Sequence, residues 1–267
     1  MGRLLGFKAI LSLLLVSVVL LCSGSPAEAQ GEHLTYVPIQ KDKQLFTKEY
    51  PGGYMQVTFE ADQVKLVDEA SYPKLAAALQ DYNREQQRYM DKQDEEYKKI
   101  AVGFQKDHLD NKQSYESRRR LWIRRQDSRA VGIMEFVYDY MGGVHGMYGV
   151  VGANFDTVTG KKLRFTDVVV DTEAFFAQAK DNFAGDYAEN NRLLVALSDY
   201  LGKCKLKDLK WTLDNDGVTL YFDPYLIGSY ADGLLRVTVR FNQLSEAFNE
   251  YYAQSLPNYE SEDYLKK

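Results

Sequence analysis

Apolar residues recur at three- and four-residue steps between Pro73 and Ile100, and charged residues fill most of the positions between them. This period predicts one long amphipathic helix. A proline fits the first turn of a helix, so the helix is expected to begin near Pro73, with Ser71 as a candidate cap. The apolar stripe contains three tyrosines that we expect to pack against a sheet: Tyr82, Tyr89 and Tyr97.

Alternation of apolar and polar residues, which is typical of half-buried strands, marks much of the remaining chain. Turn-forming residues separate several of these segments, which favours hairpins. The predicted strand regions are 54–67 (a strand pair or an edge strand), 114–140 (a hairpin turning at 126–128), 150–165 (a hairpin turning at 156–160), 211–222 (a hairpin turning at 214–217) and 235–241.

Three more helices are predicted in the second half of the chain, from the period of the apolar residues and the capping residues beside them. They cover 172–187 with Thr172 as the cap, 190–201, and a short segment after the capping residue Asn242. This mixture of strands and helices predicts an α+β fold, in which an antiparallel sheet packs with several helices in one compact unit.

The domain organisation follows from these elements and from the length of 267 residues. One large domain or two small ones fit this length. We expect a single domain over residues 30–256, built of two halves at about 45–140 and 141–252. Residues 257–267 are polar and are expected to form a loose tail.

The first thirty residues have the pattern of a secretory signal peptide. Arg3 and Lys8 precede an apolar run over 9–22, and Ala27-Glu28-Ala29 supplies a small-x-small cleavage site. The run is shorter than the roughly 20 residues that span a bilayer. We therefore expect cleavage after residue 29 and a secreted or extracytoplasmic protein associated with the cell envelope.

Two alternatives would instead keep the protein at a membrane. One is retention of the N-terminal segment as an anchor, and the other is lipidation of Cys22, which follows Leu21 instead of the small residue that lipoprotein sites prefer. Cleavage after residue 29 leaves Cys204 as the one cysteine, which we interpret as a small apolar residue.

Composition excludes several broad classes of protein. A hydrophobic fraction of 45% excludes wholesale disorder, six prolines exclude a collagen-like chain, and two cysteines exclude a disulfide scaffold. Tyrosine supplies 20 of the 35 aromatic residues. This excess fits either a half-buried sheet or an aromatic recognition surface.

Six arginines lie between Arg118 and Arg129. They predict either a site for an anionic polymer or a solvated strand face that pairs with the acidic helix. Nucleic acid is not expected as a partner, because the chain is acidic, with a net charge of −5, and is predicted to be exported.

No catalytic residue, cofactor or metal ligand is predicted. The sequence has three histidines, and only His145, in a glycine-rich turn, has a context that suggests more than a structural role. The chain lacks a nucleophile-elbow motif, and the turn at 214–217 lacks the carboxylates of a calcium loop. A pair of carboxylates acting on a glycan stays open as an alternative.

Two segments carry a resemblance to a known family. They are Gly142-Gly143-Val144-His145-Gly146 with Tyr148, followed by 154–156 and 159–161, and the aromatic segment Phe222-Asp223-Pro224-Tyr225-Leu226-Ile227-Gly228-Ser229-Tyr230-Ala231-Asp232-Gly233. Together they resemble the extracellular domain of lysozyme-sensing anti-sigma factors of the sigma-V type. The same module accompanies peptidoglycan deacetylase domains and occurs alone in exported bacterial proteins. The match spans residues 45–252.

The resemblance implies an α+β fold and a binding role without catalysis. The expected partner is lysozyme or another protein of the envelope, and an acidic surface favours encounter with a basic protein such as lysozyme. Glycan such as peptidoglycan is the alternative ligand. The resemblance also implies the partner-binding candidates, whose tyrosines either serve recognition or fill the edge of the core: His145, Tyr148, Pro224, Tyr225 and Tyr230.

Overall fold

A computed structural model describes residues 33–106 and 112–263, so the predicted signal peptide, Cys22 and His108 lie outside the described residues. From Leu34 onward the chain forms one compact unit. Its strands are β1 (Ile39–Glu49), β2 (Met55–Leu66), β3 (Gln113–Gln126), β4 (Ala130–Tyr140), β5 (Met147–Asp156), β6 (Lys210–Leu213), β7 (Gly217–Phe222) and β8 (Leu235–Arg240). Its helices are α1 (Pro73–Lys106), α2 (Phe165–Val168), α3 (Thr172–Asp186) and α4 (Asn191–Leu201).

Strands β1 to β5 form one sheet in sequence order, and the predicted α+β fold is confirmed. All neighbours in this sheet are antiparallel except β2 and β3, which are parallel. The sheet is therefore mixed and not purely antiparallel as predicted. The reason is that the 34 residues of α1 connect β2 to β3, and a crossover helix of this kind returns the chain in the same direction.

Helix α1 covers one face of this sheet, as its apolar period predicted. Tyr82 and Tyr97 are buried in the interface, and Tyr89 lies against the Arg119 guanidinium, 3.8 Å from the ring centre. The helix buries its apolar stripe against residues of four strands, among them Val64, Leu121, Ile133 and Phe155.

Strand β1 was not predicted. Its sequence is polar, and almost all of its side chains are exposed because it forms the edge of the sheet. Alternation detects a strand only when one face is buried, so β1 lacks this signal. The region 54–67 corresponds to β2, which lies between β1 and β3 and is a single internal strand instead of a pair or an edge.

Strands β6, β7 and β8 form a second, antiparallel sheet. Helices α3 and α4 pack on one of its faces and bury Phe175, Phe183, Leu193 and Leu197 in a common core. The hairpin predicted at 211–222 and the strand predicted at 235–241 are both present.

The two sheets meet at β6, which crosses the face of β4 and β5 opposite α1. The Asn154 amide nitrogen donates to the Trp211 carbonyl oxygen (3.2 Å), and the Leu213 backbone nitrogen donates to the Asn154 side-chain oxygen (2.7 Å). Two glycines, Gly132 and Gly152, permit this approach, because a Cβ at either position would overlap a carbonyl oxygen of β6.

Three local predictions are wrong. Residues 161–165 form a single bridge, between Phe155 and Lys162, and then enter α2 instead of forming a hairpin strand. The cap of α3 is Asp171, not Thr172, because the Asp171 carboxylate accepts from the Ala174 nitrogen. The segment after Asn242 forms only a 3-10 turn at Ser245–Ala247.

Residues 257–263 of the predicted tail are not loose. The Glu262 nitrogen donates to the Ile123 oxygen (3.0 Å), and the Ile123 nitrogen donates to the Glu262 carboxylate (2.8 Å). Arg236 and Asp263 form a two-point ion pair at 2.8 and 2.9 Å. The segment therefore supplies hydrogen-bond partners for β3 where β2 no longer pairs with it.

The arginine cluster is structural. Arg119, Arg124 and Arg125 are buried, so the prediction of a solvated strand face is wrong for these three residues. Each of them forms an ion pair within the fold and is not available to an anionic polymer. The carboxylates that bind the cluster belong to strands and turns and not to α1. The pairs are Arg118–Glu116, Arg119–Glu135, Arg120–Glu60, Arg124–Asp214 and Arg125–Asp127.

Candidate functional site

The two segments that carry the family resemblance meet at one place in the fold. The His145 ring stacks on the Tyr230 ring with 3.8 Å between their centres. Tyr148 contacts the same ring edge-on at 5.2 Å, and Tyr225 lies 6.2 Å from it. We call these four side chains, from His145, Tyr148, Tyr225 and Tyr230, the aromatic cluster.

A hydrogen bond from a side chain to the backbone joins the two segments. The Tyr230 hydroxyl donates to the Gly146 carbonyl oxygen (2.9 Å), and His145 Nδ1 lies 3.0 Å from the same oxygen. A side chain at residue 146 would overlap the Tyr138 ring, so the glycine there is required for close packing. The loop before β5 and the segment after β7 are thus held in fixed contact.

The aromatic cluster continues into a row of aromatic rings on the sheet face opposite α1. Phe136 stacks on Tyr148 at 5.6 Å, and Trp122 meets Phe136 edge-on at 6.3 Å. Partial burial raises the pKa of Tyr148, and the neighbouring Tyr230 and Tyr225 hydroxyls raise it further. The three side chains of this row, Trp122, Phe136 and Tyr148, are each half-buried.

Tyr225 has an unusual backbone conformation. The Leu226 nitrogen donates to the Asp223 oxygen (3.1 Å), which closes a four-residue turn with Pro224 at its second position. Tyr225 follows with φ of 71°, the left-handed conformation that the third position of a type II turn requires and that glycine normally supplies. The Tyr225 side chain is nevertheless 60% exposed, so burial in the core does not explain why a tyrosine occupies this position.

The Asp232 carboxylate holds the backbone on the other side of Tyr230. It accepts from the Ser229 nitrogen and hydroxyl, both at 2.6 Å, and from Arg192 at 2.8 Å. These hydrogen bonds lower the pKa of Asp232 to about 2, the Ser229 hydroxyl bond being the largest contribution.

We expect the Tyr230 turn to open in acid only when pH falls toward 2. A carboxylate with a lowered folded-state pKa stabilises the fold above its unfolded pKa of 3.8 and loses this contribution as pH falls through about 2. NMR titration of the Ser229 amide should report a midpoint near 2. Asp232→Asn should abolish this titration, and a Ser229 midpoint near 4 in the unaltered protein would contradict the assignment.

Exposed apolar side chains neighbour the aromatic cluster in the sequence. Val144 is 100% exposed, and Met141, Met147 and Leu226 are between 42% and 49% exposed. They lie on the same two segments as the aromatic rings. Several exposed apolar side chains on the same segments as aromatic rings favour an interaction surface.

The carboxylate of Asp223 bonds to residues of β5 and β6. Asp223 accepts from the Val150 nitrogen (3.0 Å) and pairs with Lys210. A side chain at Gly149 would contact the Asp223 carboxylate, at 2.7 Å from Oδ2. Asp223 therefore joins the start of β5 to the end of β7, and its charge is already paired.

The structure brings together four of the five predicted site residues. Pro224 is the exception, because it is buried under its turn and contributes shape instead of an exposed surface. Sequence reasoning missed Tyr138, which covers Gly146, and the apolar rim at Val144 and Leu226. Alternation along β4 places Tyr138 on the same face as Phe136, and this signal identifies it.

Within the described residues, no group of three histidine, cysteine, aspartate or glutamate side chains is arranged to hold a metal ion. None of the described helices is both long enough and apolar enough to span a membrane.

The second half of the chain also matches a known family. Residues 168–242 match the family model DUF3298, described as a protein of unknown function. This segment contains Tyr225 and Tyr230, whereas His145 and Tyr148 precede it. No curated protein matches the chain.

Two crystal structures of DUF3298 proteins share the fold. One, from Pseudomonas aeruginosa PAO1, is 22% identical with a TM-score of 0.56, and the match covers 82% of this chain and 98% of the other. The second, from Bacteroides fragilis, is 16% identical with a TM-score of 0.58 and covers 80% and 94%. The DUF3298 likeness thus extends in structure far beyond the segment that matches in sequence.

Proposed function

We propose that this protein is an exported binding module that acts without catalysis. Its partner would be a protein of the cell envelope or of the host, such as lysozyme, which it would bind through the aromatic cluster. The observation that carries the proposal is Tyr225. Its ring is 60% exposed on a backbone that glycine would adopt more easily. Strained residues of this kind concentrate at ligand-binding sites.

The chemistry of the surface supports a protein partner. Tyrosine offers a large contact area with little loss of side-chain entropy. The rings are held before binding by the Tyr230–Gly146 hydrogen bond and the Asp232 turn, so little ordering is required when a partner binds. The net charge of −5 favours encounter with a basic protein such as lysozyme.

The same row of rings supports a second candidate ligand. Trp122, Phe136 and Tyr148 follow one another along the sheet and continue to Tyr230. Such a row suits the apolar faces of successive sugars. The alternative proposal is therefore a glycan-binding envelope protein that holds peptidoglycan on this face.

Titration calorimetry separates the two candidates. The purified chain is titrated with C-type lysozyme and, in parallel, with soluble peptidoglycan fragments. We expect submicromolar lysozyme binding that weakens at least about tenfold in both Tyr225→Ala and Tyr230→Ala, since central tyrosines at interfaces typically contribute this much. Tyr36→Ala is the matched control, because Tyr36 is 54% exposed elsewhere and should leave the affinity unchanged.

Tyr225→Gly gives a sharper version of the test. Glycine relieves the strain of the left-handed backbone, so the variant should gain about 1 kcal/mol in free energy of unfolding and unfold at a higher temperature. It should nevertheless lose affinity for lysozyme. Binding of peptidoglycan fragments without lysozyme would favour the glycan alternative. Unchanged lysozyme affinity in the Tyr225 and Tyr230 variants would contradict the assignment of the aromatic cluster.

A further inference from the structure

Strand β1 lies at the edge of the first sheet. Within the described residues its one partner strand is β2, and the 11-residue strand is exposed along nearly its whole length. Leu45 and Phe46 are 62% and 50% exposed, on opposite faces of the sheet. An exposed edge strand of this length invites pairing with another strand.

The charges of β1 select its partner. Lysines on an edge strand discourage pairing with an arbitrary strand. In an antiparallel pair of two β1 strands centred on Leu45, however, each Lys41 faces Glu49 of the other copy and each Asp42 faces Lys48. Two-fold symmetry makes this four opposite-charge pairs, with Leu45 facing Leu45 at the centre and no like charges opposed.

Neighbouring registers are less favourable. Shifting the pairing by one residue in either direction places lysine opposite lysine, at Lys41 and Lys48 or at Lys43 and Lys48. Centring the pair on Gln44 leaves no charged residue opposite another. Like charges directly opposite each other destabilise a strand pair. Among these registers, only the one centred on Leu45 avoids them and places a lysine opposite both the Asp42 and the Glu49 carboxylates.

We propose that β1 pairs antiparallel with β1 of a second copy about a two-fold axis at Leu45, joining two five-stranded sheets into one continuous sheet. This proposal is independent of the proposed binding function, whose site lies at the β4–β5 end.

The surrounding structure leaves room for this dimer. Phe46 packs on Phe59 at 5.2 Å, and Lys48 pairs with Asp94 of α1, so both side chains lie on the α1 face. The two β2 strands in the dimer would be separated by about 14 Å, or three strand spacings. A helix is about 10–12 Å wide, so the two α1 helices clear each other.

Three of the pairing residues already have partners within the chain. Lys41 pairs with Glu262, Lys48 with Asp94, and Lys112 with Glu49. The side chains stay partly exposed, and the contacts between copies would extend these pairs into networks. One strand pair buries little surface, so we expect a weak, concentration-dependent dimer.

Charge exchange tests the pairing. Asp42→Lys places Lys opposite Lys48 twice in each dimer, and sedimentation analysis of the full chain should show at least about tenfold weaker dimerisation. Lys48→Asp should weaken it similarly. An equimolar mixture of the two variants should recover a heterodimer, because each altered residue then faces its opposite charge. Asp81→Lys on α1 makes the same charge change away from the edge and should have no effect.

Cysteine cross-linking tests the register. In a Cys204→Ser background, Leu45→Cys should form a disulfide-linked dimer on mild oxidation, because facing residues lie within disulfide range. Lys43→Cys is the matched control on the same strand and face. Its counterpart would lie about 14 Å away along the strand, so it should not cross-link.

The outcomes of these experiments separate clearly. A monomer at all concentrations would overturn the proposal, as would cross-linking at residue 43 as readily as at residue 45. Should Lys48→Asp fail to fold, the Asp42→Lys sedimentation and the Leu45→Cys disulfide still decide. A dimer that is unaffected by Asp42→Lys and that the Leu45→Cys variant does not link would also overturn it, because another surface would then join the copies.

Discussion

Replacing Gly152 with alanine is expected to destabilise the protein by about 3 kcal/mol, the upper range for overpacking a core. The new Cβ would overlap the Trp211 carbonyl oxygen and lie 2.7 Å from its carbonyl carbon. Strand β6 cannot simply retreat, because the Asn154 side chain bonds the backbone at Trp211 and at Leu213. The substitution therefore acts on the joint between the two sheets.

Urea unfolding followed by circular dichroism measures this loss. Gly185→Ala is the matched control, since a Cβ at that helical position has nothing within 4 Å. It should leave stability unchanged or raise it by about 0.5–1 kcal/mol, because alanine restricts the unfolded chain and favours helix. Equal effects of the two substitutions would contradict the role assigned to close packing at Gly152.

The joint between the sheets also positions the aromatic cluster. The first sheet supplies Tyr148 on β5 and His145 in the loop before it, and the second supplies Tyr225 and Tyr230 just after β7. Asp223 fastens the two parts through the Val150 nitrogen. Because the aromatic cluster is assembled from both sheets, close packing at Gly152 and the position of the Tyr230 ring are physically linked.

Local pattern predicted those elements that have one buried face. Helix α1 and the β3–β4 hairpin follow directly from their periods, because burial against each other selects apolar residues at fixed steps. Strand β1 has no buried face, and the segment at 257–263 packs through hydrogen bonds and ion pairs instead of apolar contacts. Neither leaves a hydrophobic pattern in the sequence.

The sequence named the residues of the aromatic cluster but did not reveal their geometry. The family resemblance identified His145, Tyr148, Tyr225 and Tyr230, which the structure places in contact. The left-handed Tyr225 could not be foreseen, because a sequence with Pro224 at the second turn position predicts glycine or asparagine next. A tyrosine in this backbone conformation departs from the local rule on which turn prediction relies.

The arginine cluster shows a further limit of sequence reasoning. A run of arginines on a strand indicates an exposed charged face, whereas Arg119, Arg124 and Arg125 are buried in ion pairs. The partner of Arg124, Asp214, lies 90 residues away in the chain, whereas the partners of Arg119 and Arg125 lie in the same hairpin as those arginines. The sequence shows which residues are charged, but only the structure shows which of them form ion pairs with each other.

Arg119→Met is expected to destabilise the protein by about 3–5 kcal/mol, the range for breaking a buried ion pair. Arg119 and Glu135 are both buried on the α1 face of the sheet. The Tyr82 hydroxyl also donates to the Glu135 carboxylate (3.0 Å). Removing the Arg119 guanidinium leaves the buried Glu135 carboxylate with the Tyr82 hydroxyl as a neutral donor. Most of the lost stability comes from this uncompensated negative charge.

The double variant Arg119→Met, Glu135→Gln separates charge from packing. Glutamine still accepts the Tyr82 hydrogen bond but carries no charge, so this chain should be more stable than Arg119→Met alone at pH 7. Chemical denaturation of both variants across pH provides the measurement. If loss of packing around Arg119 explained the whole effect, the two variants would unfold at the same denaturant concentration.

The pH dependence of the single variant has a definite sign. Burial raises the pKa of Glu135 in the folded protein above its ordinary value of 4.5, and loss of Arg119 removes the main interaction that lowers it. Below pH 4.5 the carboxyl is protonated in both states, so the single and double variants should be nearly equal in stability. As pH rises from 4.5 through the raised folded-state pKa, the single variant alone should lose stability, since only its unfolded state releases the proton freely.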